Sequence, residues 1–132
     1  MIKKIDHIGM AVQDIEKILK AFSKALQIPV PEIKDNKEMK IKSAMIELDG
    51  VGIEILQAYG ESGRLVDYVK KNGNGIHHIC FQTDNVEQDM NELEDSGFSF
   101  SLAKPIIGVR GKRCITTTDE ALEGIPFEIS EP

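Results

Sequence analysis

The chain has 132 residues, a net charge of −6, and 41% hydrophobic against 29% charged residues. That is room for one domain, or for two small modules sharing a core, in a chain too apolar to stay disordered. The acidic balance argues against a nucleic-acid or anionic-membrane surface, no apolar run nears the roughly 18 residues of a membrane span, and Met1-Ile2-Lys3-Lys4-Ile5-Asp6-His7 lacks an export signal core. A cytoplasmic protein with no nucleic-acid or membrane partner is expected. Cys80 and Cys114, far apart and without CxxC spacing, read as buried thiols.

In chain order, residues 5–12 alternate as a strand should. Asp14 is placed to cap a helix in which Ile15, Ile18, Leu19, Phe22 and Leu26 recur at helical spacing. Pro29 and Pro31 end that pattern and open an irregular stretch, so the second strand is poorly defined. Residues 41–48 predict a strand, Asp49-Gly50-Val51-Gly52 a hairpin turn, and 53–57 the return strand. Leu65, Val66, Tyr68 and Val69 suggest a short linker helix, closed by Asn72-Gly73-Asn74-Gly75. A strand over 76–83 follows, then a helix capped by Asn85 with Val86, Met90 and Leu93 as its apolar stripe and Gly97 at its end. Strands are expected near 98–102, 112–118 and 126–130.

The two halves repeat each other. Asp6-His7-Ile8-Gly9-Met10-Ala11-Val12 aligns with His77-His78-Ile79-Cys80-Phe81-Gln82-Thr83. His7 to His78, Asp14 to Asn85 and Ile15 to Val86 are each 71 positions apart, and Ile53-Glu54-Ile55 returns 74 positions later as Phe127-Glu128-Ile129. The expectation is therefore α+β: two tandem β-α-β-β-β modules forming a curved mixed sheet with a metal-binding cleft. Module one covers 1–60, the linker helix 61–72 and module two 73–132.

Duplication turns four isolated residues into a set. His7 and His78 hold equivalent places on the first strands, and Glu54 and Glu128 on the last. Alternation turns each acid away from the face of its apolar neighbours, where an uncompensated carboxylate would be costly. Two imidazoles and two carboxylates meeting near a pseudo-twofold axis suit Zn, Co, Ni, Mn or Fe(II), with places left for water or substrate. Of the pair His77-His78, alignment through the following isoleucine selects His78; His77 points to the other face and reads as structural.

These residues resemble the vicinal-oxygen-chelate superfamily, and within it the methylmalonyl-CoA epimerase branch. The likeness runs over nearly the whole chain. It is carried by Ile5-Asp6-His7-Ile8-Gly9-Met10-Ala11-Val12, by Ile53-Glu54-Ile55-Leu56, by the linker through Gly75-Ile76-His77-His78-Ile79-Cys80-Phe81, and by Gly111-Lys112-Arg113. The duplication makes Glu54 the fourth candidate ligand. The resemblance implies one divalent metal ion per chain (Co, Zn, Ni or Mn) on His7, His78 and Glu128, with Glu54 at a place where the epimerases carry Gln or Glu, and a homodimer. It also implies an acyl thioester as the small-molecule partner. The sequence departs from the family where a His-Pro pair is replaced by Thr116-Thr117-Thr118-Asp119.

An epimerase of a 2-carboxyacyl-CoA thioester, methylmalonyl-CoA in the first instance, needs two proton carriers on opposite faces of a planar enolate stabilised by the metal. Part of the family carries a glutamate base where this chain has Ser43, which is left as a substrate contact. Across a two-residue hairpin loop, whether Asp49-Gly50 or Gly50-Val51, the side chains of Ser43, Met45 and Glu47 share the face of Glu54. Glu47 is therefore the candidate for one carrier, and Glu128 (or Glu54), exchanging off the metal, for the other. Arg110, Lys112 and Arg113 around Gly111, or Lys70 and Lys71, are candidates for the CoA phosphates. The alternatives are a glyoxalase-I-like lyase acting on a thiohemiacetal, a ferrous dioxygenase, against which a fourth ligand at Glu54 counts, and a non-catalytic binding or resistance module.

Overall fold

Eleven elements build the computed structural model, which describes residues 1–132: β1 (Ile2–Ala11), α1 (Ile15–Leu26), β2 (Lys34–Asn36), β3 (Ile41–Leu48), β4 (Val51–Ala58), α2 (Arg64–Asn72), β5 (Gly75–Thr83), α3 (Val86–Asp95), β6 (Ile106–Ile107), β7 (Arg113–Thr116) and β8 (Phe127–Ser130). They fall into two compact units, Gly9–His77 and Met1–Ile8 with His78–Pro132. None of the helices is long and apolar enough to cross a membrane.

In the unit Gly9–His77 the strand order is β2-β3-β4, with β4 followed by the end of β1. Leu48 pairs with Val51, leaving Asp49 and Gly50 as a two-residue loop with φ of 50° and 83°. Both signs are positive, as a tight turn matching the strand twist requires, and Asp-Gly tolerates them. The resulting register sets Met45 opposite Glu54 and Ser43 opposite Leu56. Ala44, Ile46 and Ile55 occupy the other face and pack with Val12, Ile15 and Leu19 into a buried cluster. Helix α1 thus buries one stripe on β3 and β4, and Asp14 caps it by accepting from the Lys17 N–H.

In the other unit the order is β1-β5-β8-β7-β6. β5 and β8 run parallel with Cys80 opposite Glu128, while β7 and β8 run antiparallel with Thr116 opposite Glu128. Val86 and Met90 of α3 pack on Ile115, Phe127 and Ile129, with Phe81 and Phe98 set edge-on against Phe127. Asn85 caps α3 as Asp14 caps α1, with nearly the same backbone angles.

One expected strand is absent. Residues 98–102 form no ladder; Phe100 makes an isolated bridge to Thr117, and the edge strand is β6, further along. Two backbone bonds, Ser101 N–H to the Thr116 carbonyl and Thr118 N–H to the Ser99 carbonyl, make that bridge, and the Ser101 hydroxyl adds a second donor to the Thr116 carbonyl. Pro105 then supplies no N–H with which to extend a ladder.

A shared staple was not visible in the strand and helix patterns. The first N–H of α1, on Ile15, donates to Gln57 Oε1 at 2.9 Å, and the first N–H of α3, on Val86, donates to Glu131 Oε1 at 3.1 Å. Each satisfies a helix N–H that has no partner within its helix. Gln57→Leu and Glu131→Leu are each expected to lower the unfolding free energy by about 1 kcal/mol, read as a lower urea midpoint at unchanged m-value. Unchanged midpoints would show that water replaces both staples without loss.

Candidate metal centre

β1, β5 and β8 bring three of the sequence-selected residues together within one unit. The Nε2 atoms of His7 and His78 lie 3.3 Å apart, and Glu128 Oε1 lies 3.7 Å from His7 Nε2. The two rings meet edge-on, at 82° and 5.4 Å between centres. Both histidines are buried, and the Glu128 side chain keeps 17% of its surface exposed. The trio is therefore enclosed on the imidazole side and open at the carboxylate.

The outer contacts decide how these atoms present themselves. Asp6 Oδ2 accepts a hydrogen bond from His7 Nδ1 at 2.7 Å. The same oxygen accepts from Arg110 Nη2 at 2.6 Å. Burial pushes the Asp6 carboxyl up, but the His7 hydrogen bond and the Arg110 charge and hydrogen bond outweigh it and hold the group below the usual carboxylate value. An ionised carboxylate only accepts, so the proton on His7 sits on Nδ1 and the Nε2 lone pair faces His78 and Glu128. On the far side of Glu128, Thr116 Oγ1 donates to Oε2 at 3.2 Å. Two imidazole nitrogens and one carboxylate oxygen gathered in this way, with a carboxylate behind one ring, fit a borderline divalent ion.

Glu54 lies in the other unit. It is buried on β4, on the face opposite the one that carries Ile53 and Ile55 to the apolar cluster. Ser43, also buried, and Glu47, exposed beside the hairpin turn, share that face through the β3–β4 register. The inference that Ser43, Met45 and Glu47 share the Glu54 face is therefore observed. The basic candidates are placed differently from one another. Arg110 turns inward to Asp6, Arg113 reaches Glu87 and Glu131 at 3.5 Å each, and Lys112 lies half-buried in the β6–β7 loop. Lys70 reaches the Glu61 carbonyl at 3.5 Å. His77 is buried edge-on against Tyr68 at 5.1 Å, as a structural histidine should be.

Sequence reasoning missed the roles of Asp6 and Thr116, and read Arg110 as a phosphate contact where it binds Asp6. For Asp6 a signal was present, because the repeat pairs Asp6-His7 with His77-His78, so only the first imidazole follows a carboxylate.

Residues 6–116 match the Glyoxalase/Bleomycin resistance protein/Dioxygenase superfamily. The chain belongs to that superfamily. It is 26% identical to the ethylmalonyl-CoA/methylmalonyl-CoA epimerase of Cereibacter sphaeroides over 133 residues, 99% of each chain. It is 24% identical to the mitochondrial methylmalonyl-CoA epimerase of Dictyostelium discoideum over 131 residues, 98% of this chain and 79% of that one. Among solved structures, the Streptomyces coelicolor methylmalonyl-CoA epimerase in complex with 2-nitronate-propionyl-CoA superposes with a TM-score of 0.90 at 26% identity, covering 99% of this chain and 98% of that one. The fold is the glyoxalase-like α+β fold of paired β-α-β-β-β modules, and the chain falls on the epimerase-like branch of the superfamily.

Cys80 and Cys114 are free and buried. Burial, reinforced by the neighbouring Glu128 carboxylate, pushes the Cys80 thiol far up, so it carries no thiolate at neutral pH. A maleimide at pH 8 should therefore leave Cys80 unlabelled in the folded protein and label it on denaturation, as mass mapping of the labelled peptides would show. Fast labelling of native Cys80 would contradict the enclosure described for the centre.

Proposed function

We propose that this protein is a metal-dependent epimerase of a 2-carboxyacyl-CoA thioester, with methylmalonyl-CoA as the first substrate to test. The observation that carries the reading is the convergence of His7 Nε2, His78 Nε2 and Glu128 Oε1, in a chain matching epimerases from end to end. A divalent ion (Co, Zn, Ni or Mn) held by His7, His78 and Glu128, with Glu54 as fourth ligand, would supply Lewis acidity to the substrate oxygens as enolate charge develops. Support for Glu54 comes from its repeat relation to Glu128 and its burial on the face turned from the apolar cluster.

The proton chemistry falls to carboxylates. A base on one face removes the C2 proton, the C–H electron pair delocalises into the thioester, and an acid on the other face returns a proton to C2. Glu47 is proposed as one carrier. The Met45–Glu54 pairing makes it the diagonal neighbour of Glu54, about 7–8 Å away, near enough for a substrate held at Glu54 to reach. Its exposure beside the turn leaves it free to exchange protons with solvent. Glu128 is proposed as the other, as the one member of the convergent trio with an open edge. Ser43 lies between them in role, a buried hydroxyl able to hydrogen-bond a substrate oxygen. Lys112 and Arg113 are proposed to meet the CoA phosphates.

The test is incubation of metal-reconstituted protein with 2R- or 2S-methylmalonyl-CoA in deuterated water, following deuterium entry at C2 by mass spectrometry. Rapid incorporation, abolished by EDTA and lowered about 10²- to 10⁴-fold in Glu47→Gln and Glu128→Gln, is the expected result. Stoichiometric metal binding without exchange would overturn the epimerase reading and point to a thiohemiacetal substrate or a binding role.

A further inference from the structure

Arg110 stands among the cations read from the sequence as candidates for a CoA phosphate, yet its guanidinium turns inward. Nη2 donates to Asp6 Oδ2 at 2.6 Å, across 104 positions of sequence, and the same oxygen takes the His7 Nδ1 proton at 2.7 Å. The Arg110 side chain keeps 21% of its surface exposed, Asp6 keeps 11% and His7 none. The series of three side chains runs from solvent to the centre, with exposure falling along it.

The segment carrying Arg110 is shaped to deliver it. β6 and β7 are joined by a loop in which the Gly108 N–H reaches the Lys112 carbonyl at 2.9 Å and the Gly111 N–H reaches the Gly108 carbonyl at 3.0 Å. Gly111 takes a φ of +74°, which side-chain-bearing residues rarely adopt. A Cβ at Gly108 would come within 2.8 Å of Cys114 Sγ, so only glycine lets the loop lie this close to β7.

We infer that Arg110 and Asp6 are positioning residues for His7: the guanidinium orients the Asp6 carboxylate, and the carboxylate fixes the His7 ring and its Nδ1–H tautomer, leaving Nε2 bare toward His78 and Glu128. Neither residue touches substrate. The inference deepens the metal-centre reading proposed above and rests on it for its functional meaning. A carboxylate behind a ligating imidazole raises the basicity of the ligand and removes the freedom of the ring to turn. An arginine on that carboxylate removes the freedom of the carboxylate in the same way, because its planar fork offers two donors in fixed geometry. The repeat does not carry the Asp-His pair into the second module. In the second module the residue before the histidine is His77, which packs on Tyr68.

Two readouts test it, and neither is turnover. Long-range proton–nitrogen NMR of the metal-free protein reports which nitrogen of His7 carries the proton. The wild type should show protonated Nδ1 and bare Nε2, and Asp6→Asn should lose that preference. Competition with a chromophoric chelator gives the affinity for Zn or Co. Asp6→Asn should weaken it about 10- to 100-fold, and Arg110→Met by less, with Arg110→Lys between Arg110→Met and wild type. In the double variant Arg110→Met should add little to Asp6→Asn, because the arginine acts through the carboxylate. Should Asp6→Asn fail to fold, the Arg110 pair of variants still decides by affinity. Unchanged affinity in Arg110→Met, with CoA binding lost instead, would overturn the inference and restore Arg110 as a phosphate anchor. If the wild-type protein binds no divalent ion, the metal reading fails, and the His7 tautomer still decides whether Asp6 positions the ring.

Discussion

Two buried imidazole nitrogens 3.3 Å apart cannot both present lone pairs to each other without something positive between them or a proton on one. Asp6 removes the proton option for His7 by holding its proton on Nδ1, which leaves a proton on His78 Nε2 or a cation between the rings. Glu128, 3.7 Å from the same Nε2, adds a negative oxygen to the same small volume. A folded chain holding this arrangement has concentrated electron pairs where a cation would relieve them. Around the centre, Thr116 donates to the outer oxygen of Glu128, and Arg110 donates to the same Asp6 oxygen that receives the His7 proton.

The charge distribution of the centre is correspondingly asymmetric. On the His7 side the Asp6 carboxylate is matched locally by the Arg110 guanidinium. On the Glu128 side the compensation is a hydroxyl and, through Cys80, a thiol whose protonation burial enforces. The Glu128 side chain keeps 17% of its surface exposed.

Much of this was legible in the sequence because the duplication repeats both chemistry and spacing. The offset of 71 fixed the histidines and helix caps as pairs, and the offset of 74 did the same for the acids. The shared face was legible because either two-residue loop, Asp49-Gly50 or Gly50-Val51, sets Ser43, Met45 and Glu47 on the Glu54 face; the register itself is that of Asp49-Gly50. What escaped was of two kinds. The edge strand was expected too early: the Ser101 N–H to Thr116 and Thr118 N–H to Ser99 bonds close a single bridge at Phe100, and the pairing goes no further before Pro105. The Arg110–Asp6 pair escaped because an arginine beside Gly111 and two other cations reads as surface charge. Nothing local says that its partner stands 104 positions away.

The last strand of each module shows why the acids and the helices belong to one constraint. Glu54 and Gln57 are three residues apart, as are Glu128 and Glu131, and an odd separation on a strand sends two side chains to opposite faces. Gln57 and Glu131 therefore fall on the apolar side with Ile55 and Ile129, where they accept the first N–H of α1 and α3. Glu54 and Glu128 fall on the other side. Any shift of register by one residue would expose the staple and drive the acid into the apolar cluster, so helix docking and the aim of the carboxylate cannot be set separately. The three-residue insertion between the modules lies between helix start and final strand, where it changes neither spacing. Duplication preserved the motif because each half of it enforces the other.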